Sequence, residues 1–418
     1  MYNLKDIINL IEKNNIFLTG GAGVGKTTLT NEIIQYFQKK GKNVARLAST
    51  GMAATLLEGQ TLHSFFDFGI ASNMDELKTT KKLQISRKVK KILSAINLII
   101  VDEISMVSKE LFEMIRLRLL QADFKGKVMV VGDFLQLPPV TKTEVKFAFE
   151  SEAWERFEFK TLSLDKVYRT SNKEFIELLN HIRFGYINEK IHNQLNDFVK
   201  PLPNDLREFT FLFGKNKSAS YHNHLQLEYI QTQLHVKKAE VMIYEKSITN
   251  KEVERFFEDA RIDKELYLKV GVPVLFTRNS WNFFNGERGI IIGIDEDILH
   301  VRKDNGITVK LSKLKQSKTK WVEKNDKVKE EELFAIYQYP VKLAFAITIH
   351  KSQGMSLDDI IIESNEIFSP SQFYVALSRT KNPNRLNLIA PKKQWSDLVF
   401  VHQKAVEFYN RLKKEPKI

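Results

Sequence analysis

Eight residues, Gly20 to Thr27 (GGAGVGKT), constrain this chain more tightly than any others. They match G-x-x-x-x-G-K-[ST], follow a short apolar run, Asn15 to Thr19 (NIFLT), and precede a stretch of helical spacing through Leu29, Ile33, Ile34 and Phe37. A strand that turns through glycines into a helix aims backbone N–H groups and the positive helix end at one point, a cradle for phosphate. Lys26 is then placed to reach β- and γ-phosphates, and the Thr27 hydroxyl to ligate Mg²⁺. Gly20, Gly21, Gly23, Gly25, Lys26, Thr27 and Thr28 are therefore the candidate nucleotide-binding set. Val44 to Leu47, Leu98 to Val101 and Lys127 to Val131 read as further strands, and Lys109 to Leu120 as a helix. Strands alternating with helices predict a parallel α/β sheet.

Other strings bear on the same chemistry. LIIVDEIS (Leu98 to Ser105) is an apolar strand ending in two acids. At the carboxyl end of a strand beside a phosphate loop, Asp102 is placed to hold Mg²⁺ and Glu103 to orient and deprotonate water. GDFLQLPPV (Gly132 to Val140) offers Gln136, a neutral side chain able to bond a γ-phosphate, although a Gly-Asp turn before Pro-Pro is equally a structural stop. Arg169 in DKVYRT and Arg379 in FYVALSRT are candidate arginine fingers, useful only if a second domain folds back onto the nucleotide.

The chain has 418 residues, 64 Lys plus Arg against 51 Asp plus Glu, and no cysteine. The last point excludes disulfides, thiol catalysis and cysteine-ligated metals. The excess of +13 suits a polyanionic partner or a Lys-rich composition alone. No apolar run reaches transmembrane length, and MYNLKDIINLIEKNN lacks the order of a signal peptide, so a cytoplasmic protein with no membrane partner is expected. Residues about 66–83 lack a strong period and read as an insertion. KKLQISRKVKK (Lys81 to Lys91) reads as a basic helix, either a solvated face or a contact. From Leu266, β-rich runs punctuated by Asn-Gly predict a small antiparallel barrel, followed by a strip of lysines from Lys310 to Lys320.

In order along the chain stand FLTGGAGVGKTTL, LASTGMAA with GQTLHSFF, VDEISM, VVGDFLQLPPV, LDKVYRT, LNHIRFG, LFGKNK, LYLKVGVPVLF with FNGERG, AITIHKSQGMSLD and QFYVALSRT. Together, from about Asn15 to Ala390, they resemble superfamily-1 helicases, most closely the Pif (petite integration frequency) group of the RecD-like, 5′-to-3′ branch. The resemblance implies an α/β fold of two RecA-like parallel-sheet domains, with a small inserted helical or loop wedge and an inserted SH3-like β-barrel. The expected limits are 1–155 for the first domain, 156–265 with 339–418 for the second, and 266–338 for the barrel. It implies ATP and Mg²⁺ as cofactors and a catalytic set of Lys26, Glu103, Gln136, Arg169 and Arg379. Thr27 and Asp102 would hold the metal, and Tyr168 and Gln353 would join the nucleotide site, Tyr168 by stacking on adenine. DNA-side positions would be Thr50, Gly51, His63, Ser64, Phe65, Pro138 and Pro139 in the first domain, and Asn216, His350, Lys351 and Ser352 in the second.

The function so implied is a monomeric, ATP-dependent helicase that moves 5′-to-3′ on single-stranded DNA and opens duplex, forked or structured DNA. The alternative is a DNA-stimulated translocase that remodels protein–DNA complexes without unwinding. Phe65 and Phe66 offer a possible base-stacking surface or ordinary core. One departure stands out: relatives carry a glutamine before the phosphate loop that reads adenine, and this chain does not, leaving Asn3 or backbone groups to substitute.

Overall fold

A computed structural model describes residues 4–49, 54, 57, 59–141, 144–203, 205–260, 262–324 and 327–413. Its first layer is a parallel sheet ordered β3-β2-β4-β5-β1-β6. The strands are β1 (Ile16–Thr19), β2 (Val44–Ala48), β3 (Gln60–Thr61), β4 (Leu98–Asp102), β5 (Lys127–Gly132) and β6 (Lys160–Ser163). Every residue of β1, and all but the end residues of β4 and β5, are buried. Helices cover both faces of such a sheet, which is why these strands read as unbroken apolar runs. The phosphate loop leaves β1, the acidic pair ends β4 and the Gln136 loop leaves β5, so all three meet at one carboxyl edge of the sheet.

The expected boundary at 155 falls too early. β6 pairs in register with β1, Ile16 opposite Lys160, and completes the first sheet. The expected assignment of 339–418 to the second domain also fails at its end. The helix Gln403–Leu412 buries Ala405, Val406, Phe408 and Tyr409 in the first core, where Phe408 stacks on Phe149 and meets Phe17, Phe134 and Trp154. The segment 66–83 is likewise no loose insertion. Phe66, Phe68, Ala71 and Leu77 are fully buried in that core, around a short helix Met74–Thr79 capped by Asn73. The buried Arg118 ties it down, donating to the carbonyls of Phe66, Lys82 and Leu83. Of the segment's large apolar side chains Ile70 is the one that projects, 80% exposed. Only the second half of the basic run is helical, as Arg87–Ala95, with Ser86 accepting from the Val89 N–H as its cap.

After β7 (Thr210–Phe213) the chain builds an antiparallel unit of ten strands. These are β8 (His235–Lys238), β9 (Glu240–Ile243), β10 (Glu265–Leu268), β11 (Pro273–Phe276), β12 (Arg288–Ile294), β13 (Leu299–Lys303), β14 (Thr308–Leu311), β15 (Leu314–Lys324), β16 (Lys327–Gln338) and β17 (Val341–Leu343). The unit begins earlier and ends later than the expected 266–338, because β8 pairs with β10, β9 with β16 and β17 with β11. It comprises sheets of two, five and three strands. Asp304-Asn305-Gly306 makes the predicted tight turn between β13 and β14, with Gly306 at φ 83°. Most of the lysine strip proves to be strand, in β14 and β15: Lys315 pairs with Glu332, and Lys313, between the two strands, pairs with Glu240. The β15–β16 hairpin reaches the first domain, where Trp321 enters the first core and Glu330 pairs with Arg46 at 3.2 Å.

The chain then lays β18 (Ala346–Thr348), β19 (Ile360–Ile362) and β20 (Leu386–Leu388) beside β7, in the parallel order β18-β7-β19-β20. Helices Lys173–Arg183, Glu189–Asp197 and Gln372–Leu377 pack on it to form a second core. Among the described residues no helix is long and apolar enough to cross a membrane.

Candidate active site and nucleic-acid interface

The two parallel-sheet bodies face each other across a cleft of about 560 Å³. From the first body, Gly23, Gly25, Lys26, Thr27, Thr28, Asp102, Glu103 and Gln136 line it. From the connection between bodies come Tyr168 and Arg169, and from the second body Arg379 and Lys381. Local sequence makes this possible. Gly23 and Gly25 adopt φ 76° and 87°, and a Cβ on Gly23 would lie 2.7 Å from the Arg169 Cβ. Gly20 and Gly21 lie behind the cleft, their carbonyls accepting from Lys26 Nζ at 2.7 and 2.8 Å.

The cleft floor is acidic. Asp102 ends β4, and its Oδ1 accepts the Glu103 N–H at 2.8 Å. Glu103 takes a left-handed backbone, φ 52°, uncommon outside glycine. Burial, then the Asp102 charge beside it, push the Glu103 carboxyl up to about 7. Burial also raises Asp102 and lowers Lys26, against the pull of Asp133 and Glu103 on the lysine. A carboxylate whose affinity for protons lies near neutrality suits a general base. Thr27 and Asp102 supply a hydroxyl and a carboxylate, the hard oxygen donors Mg²⁺ takes while keeping water and phosphate as its other ligands. The donor set therefore fits the metal.

The second body closes the site with neutral and cationic groups. Gln353 Nε2 donates to Glu103 Oε2 at 2.9 Å, so the expected nucleotide contact is at present a contact to the carboxylate. Arg169 donates to Ser356 Oγ at 2.7 Å and to the Ser378 carbonyl at 2.6 Å. Arg379 donates to the carbonyls of Val375, Ser352 and Met355 and to Ser378 Oγ. Burial lowers the two guanidinium groups to about 9 and about 10. Guanidinium does not lose its proton in proteins, so the shift marks two poorly solvated charges that an incoming phosphate would satisfy.

Beside the cleft lies a more apolar pocket of about 760 Å³, sharing Val24, Gly25, Thr28 and Tyr168 with it and lined further by Ile7, Leu29 and Leu164. Tyr168 is 61% exposed, its N–H held by the Gly23 carbonyl at 2.8 Å. An exposed ring over an apolar floor can stack on a base. Asn3 lies outside the described residues.

The DNA-side candidates do not gather as well. Thr50 and Gly51 lie outside the described residues. His63, Ser64 and Phe65 line a cleft of about 400 Å³ between the first domain and the β15–β16 hairpin, whose opposite wall carries Arg255, Lys318 and Lys320. Burial lowers His63, and its Nε2 lies 3.1 Å from the Ala71 carbonyl. Phe65 is only 5% exposed and Phe66 fully buried, so the stacking surface expected of them is core. Pro138 and Pro139 are buried, and Val140, 84% exposed, is what faces solvent there. Asn216 is exposed at the start of the helix Asn216–Tyr229. His350 and Lys351 are partly exposed, and Lys351 lines a separate small cavity. Ser352 is fully buried, its hydroxyl donating to the Ile349 carbonyl, so it offers nothing to a strand. The two lysine-rich runs converge at the cleft of His63, Ser64 and Phe65: Lys88 also lines it, and partial burial and the nearby Lys320 lower its ammonium.

Sequence reasoning missed Asp133, Arg183 and Tyr374. Asp133 and Arg183 form an ion pair between the bodies, and the Tyr374 hydroxyl accepts the N–H of Ala22 in the phosphate loop at 2.9 Å. Each stood inside a string already singled out, GDFLQLPPV, LNHIRFG and QFYVALSRT, but only for its neighbours.

The chain is similar to known proteins. A model described as PIF1-like helicase matches residues 3–193, and one described as Helicase matches 298–395. The ATP-dependent DNA helicase Pif1 of Campylobacter jejuni is 38% identical, over 96% of this chain and 96% of that protein. Bacteroides Pif1 in complex with ADP-AlF4 superposes with a TM-score of 0.85 at 29% identity, covering 99% of this chain and 97% of that one. Bacteroides Pif1 bound to single-stranded DNA gives 0.64 at 28% identity, covering 98% and 96%.

Proposed function

Because the chain belongs to the PIF1-like helicase family and is an ATP-dependent DNA helicase, we propose that it moves 5′-to-3′ on single-stranded DNA by opening and closing the cleft between its two parallel-sheet bodies. Lys26 and the loop N–H groups hold the phosphates of ATP, and Tyr168 stacks on the base. Thr27 and Asp102 would hold Mg²⁺, which when bound would neutralise phosphate charge. Glu103 takes the proton of the attacking water, Gln136 and Gln353 bond around the γ-phosphate, and Arg169 with Arg379 stabilise the charge that develops in transfer. Both halves of the site come from one chain, so a monomer suffices for hydrolysis.

One observation carries the coupling to DNA. Gln353, which bonds Glu103, stands two residues after Lys351 and three after His350, the second body's candidate strand contacts. A strand gripped there and a nucleotide in the cleft act on the same short segment. ATP shifts the grip only if the two arrangements differ in DNA affinity. Bacteroides Pif1 gives a TM-score of 0.85 both unliganded and with ADP-AlF4, but 0.64 with single-stranded DNA and 0.65 with ADP-AlF3 and single-stranded DNA, which supports a protein whose arrangement differs with DNA. Exposed Ile70 is the apolar tip available to part a duplex at a fork.

The polarity rests on the likeness of the motifs to the 5′-to-3′ branch. Duplexes with a single 5′ or 3′ tail test it: the 5′-tailed substrate is expected to unwind and the 3′-tailed one to remain, and the reverse result overturns the assignment. ATP turnover that rises with DNA while no strand is released would favour a translocase that does not unwind. The cleft carrying Lys88 and Lys320 makes a separate expectation. Replacing either by Ala should weaken binding evenly across sequences and reduce the slope of log affinity against log salt by about 1, measured by fluorescence anisotropy of a labelled strand.

A further inference from the structure

Two connections carry the chain between the bodies. One leads from β6 to the helix Lys173–Arg183, whose Phe175, Leu178 and Ile182 lie in the second core. The other leads from Trp395 and Leu398 in the second core to Phe408 and Tyr409 in the first. Near both crossings the bodies share a buried ion pair. Arg183 ends its helix and donates from Nε and Nη2 to the two carboxylate oxygens of Asp133, each at 2.9 Å. Asp133 follows β5 in the first body, its side chain has no exposed surface, and its Oδ1 also accepts the Leu135 N–H. The Arg183 guanidinium lies 5.1 Å from the ring centroid of Tyr409, whose hydroxyl bonds Thr19 Oγ1 at 2.6 Å and accepts the Phe134 N–H. Tyr374, from the second body, accepts the Ala22 N–H of the phosphate loop.

We propose that the Asp133–Arg183 pair is the fixed joint of the two bodies: it stays formed while the cleft opens and closes about it, and with Tyr374 it holds the phosphate loop and the Gln136 loop in register with the second body. The argument is one of relative cost. Separating the pair would strand a carboxylate with no access to water, whereas a contact across the cleft such as Gln353 to Glu103 is a single, part-buried hydrogen bond. Burial alone would raise Asp133, yet Arg183 holds its carboxyl below the usual range, so the pair is formed and charged. Neither residue lines the nucleotide cleft, and both are positioning residues.

The inference rests on the two-body cycle proposed above, and the test separates the two. Asp133→Asn with Arg183→Met removes both charges and so leaves no buried charge unpaired. Its ATP turnover, its KM for ATP, its stimulation by single-stranded DNA and its melting temperature are measured beside the unaltered protein. The joint predicts a folded protein with KM within about threefold of normal and kcat lower by about 10- to 100-fold, with stimulation by DNA lost. Arg183→Lys, which keeps the charge but not the fork, should fall between. A folded variant with normal or raised kcat and normal stimulation overturns the joint. Absence of stimulation in the unaltered protein would instead strike the cycle. Should the double variant not fold, Tyr374→Phe carries the test, with kcat expected to fall at unchanged KM and an unchanged kcat overturning the proposal.

Discussion

Glu103→Gln is expected to cut steady-state ATP turnover by about 10³-fold while leaving ATP and DNA binding in place. The substitution keeps the shape of the side chain and removes only its capacity to take a proton. The interdomain contact should survive, because the new amide oxygen can still accept from Gln353 Nε2. A neutral side chain also relieves the repulsion between two buried acids, so the variant should be no less stable than the parent. Turnover saturated with single-stranded DNA gives the rate, and titration with a fluorescent nucleotide gives the affinity. A variant that hydrolyses ATP within a fewfold of the parent would remove Glu103 from the role of base. Lys26→Ala is the informative contrast, since it should weaken nucleotide binding itself.

Much of this site was legible in the sequence for a physical reason. A parallel sheet buried on both faces needs unbroken apolar strands, and its chemistry must sit at their carboxyl ends. GGAGVGKT, VDEIS and GDFLQ each announce such an end, and the structure brings Lys26, Asp102, Glu103 and Gln136 to one cleft. What stayed hidden depends on partners far along the chain. β6 is a short, half-polar edge strand, and nothing in KTLS says that it extends the first sheet. The helix Gln403–Leu412 displays an apolar face, but a face does not name the core that receives it. β15 reads as a run of lysines because its charges are satisfied across the hairpin, as Lys315 is by Glu332. Motifs marked the DNA-side candidates as strings while leaving open which atoms face outward. Ser352, Pro138 and Pro139 turn out to be buried within theirs. Asp133 and Arg183, 50 residues apart, could not be paired without the fold.

Replacing either arginine of the cleft should be nearly as damaging as replacing Glu103, and the two replacements should fail differently. Arginine fingers are worth about 10³- to 10⁵-fold in rate. Arg169→Ala should lower kcat by about 10³-fold with little loss of stability, because the side chain is only partly buried and gives up bonds to Ser356 Oγ and one carbonyl. Arg379→Ala should lose the same rate and also melt earlier. It leaves the buried carbonyls of Val375, Ser352 and Met355 short of a donor, at about 1–3 kcal/mol for a group left wholly unpaired. Lysine should rescue neither rate, since a point charge cannot reproduce the fork that now grips two or more oxygens and would have to transfer to phosphate. Single-turnover hydrolysis, read together with thermal denaturation, separates the two effects. If Arg169→Lys turned over ATP as the parent does, Arg169 would be a strut between Ser356 and Ser378 and not part of the chemistry. The burden of closing the site would then fall on Arg379 alone, which lies close enough to Glu103 for their charges to interact.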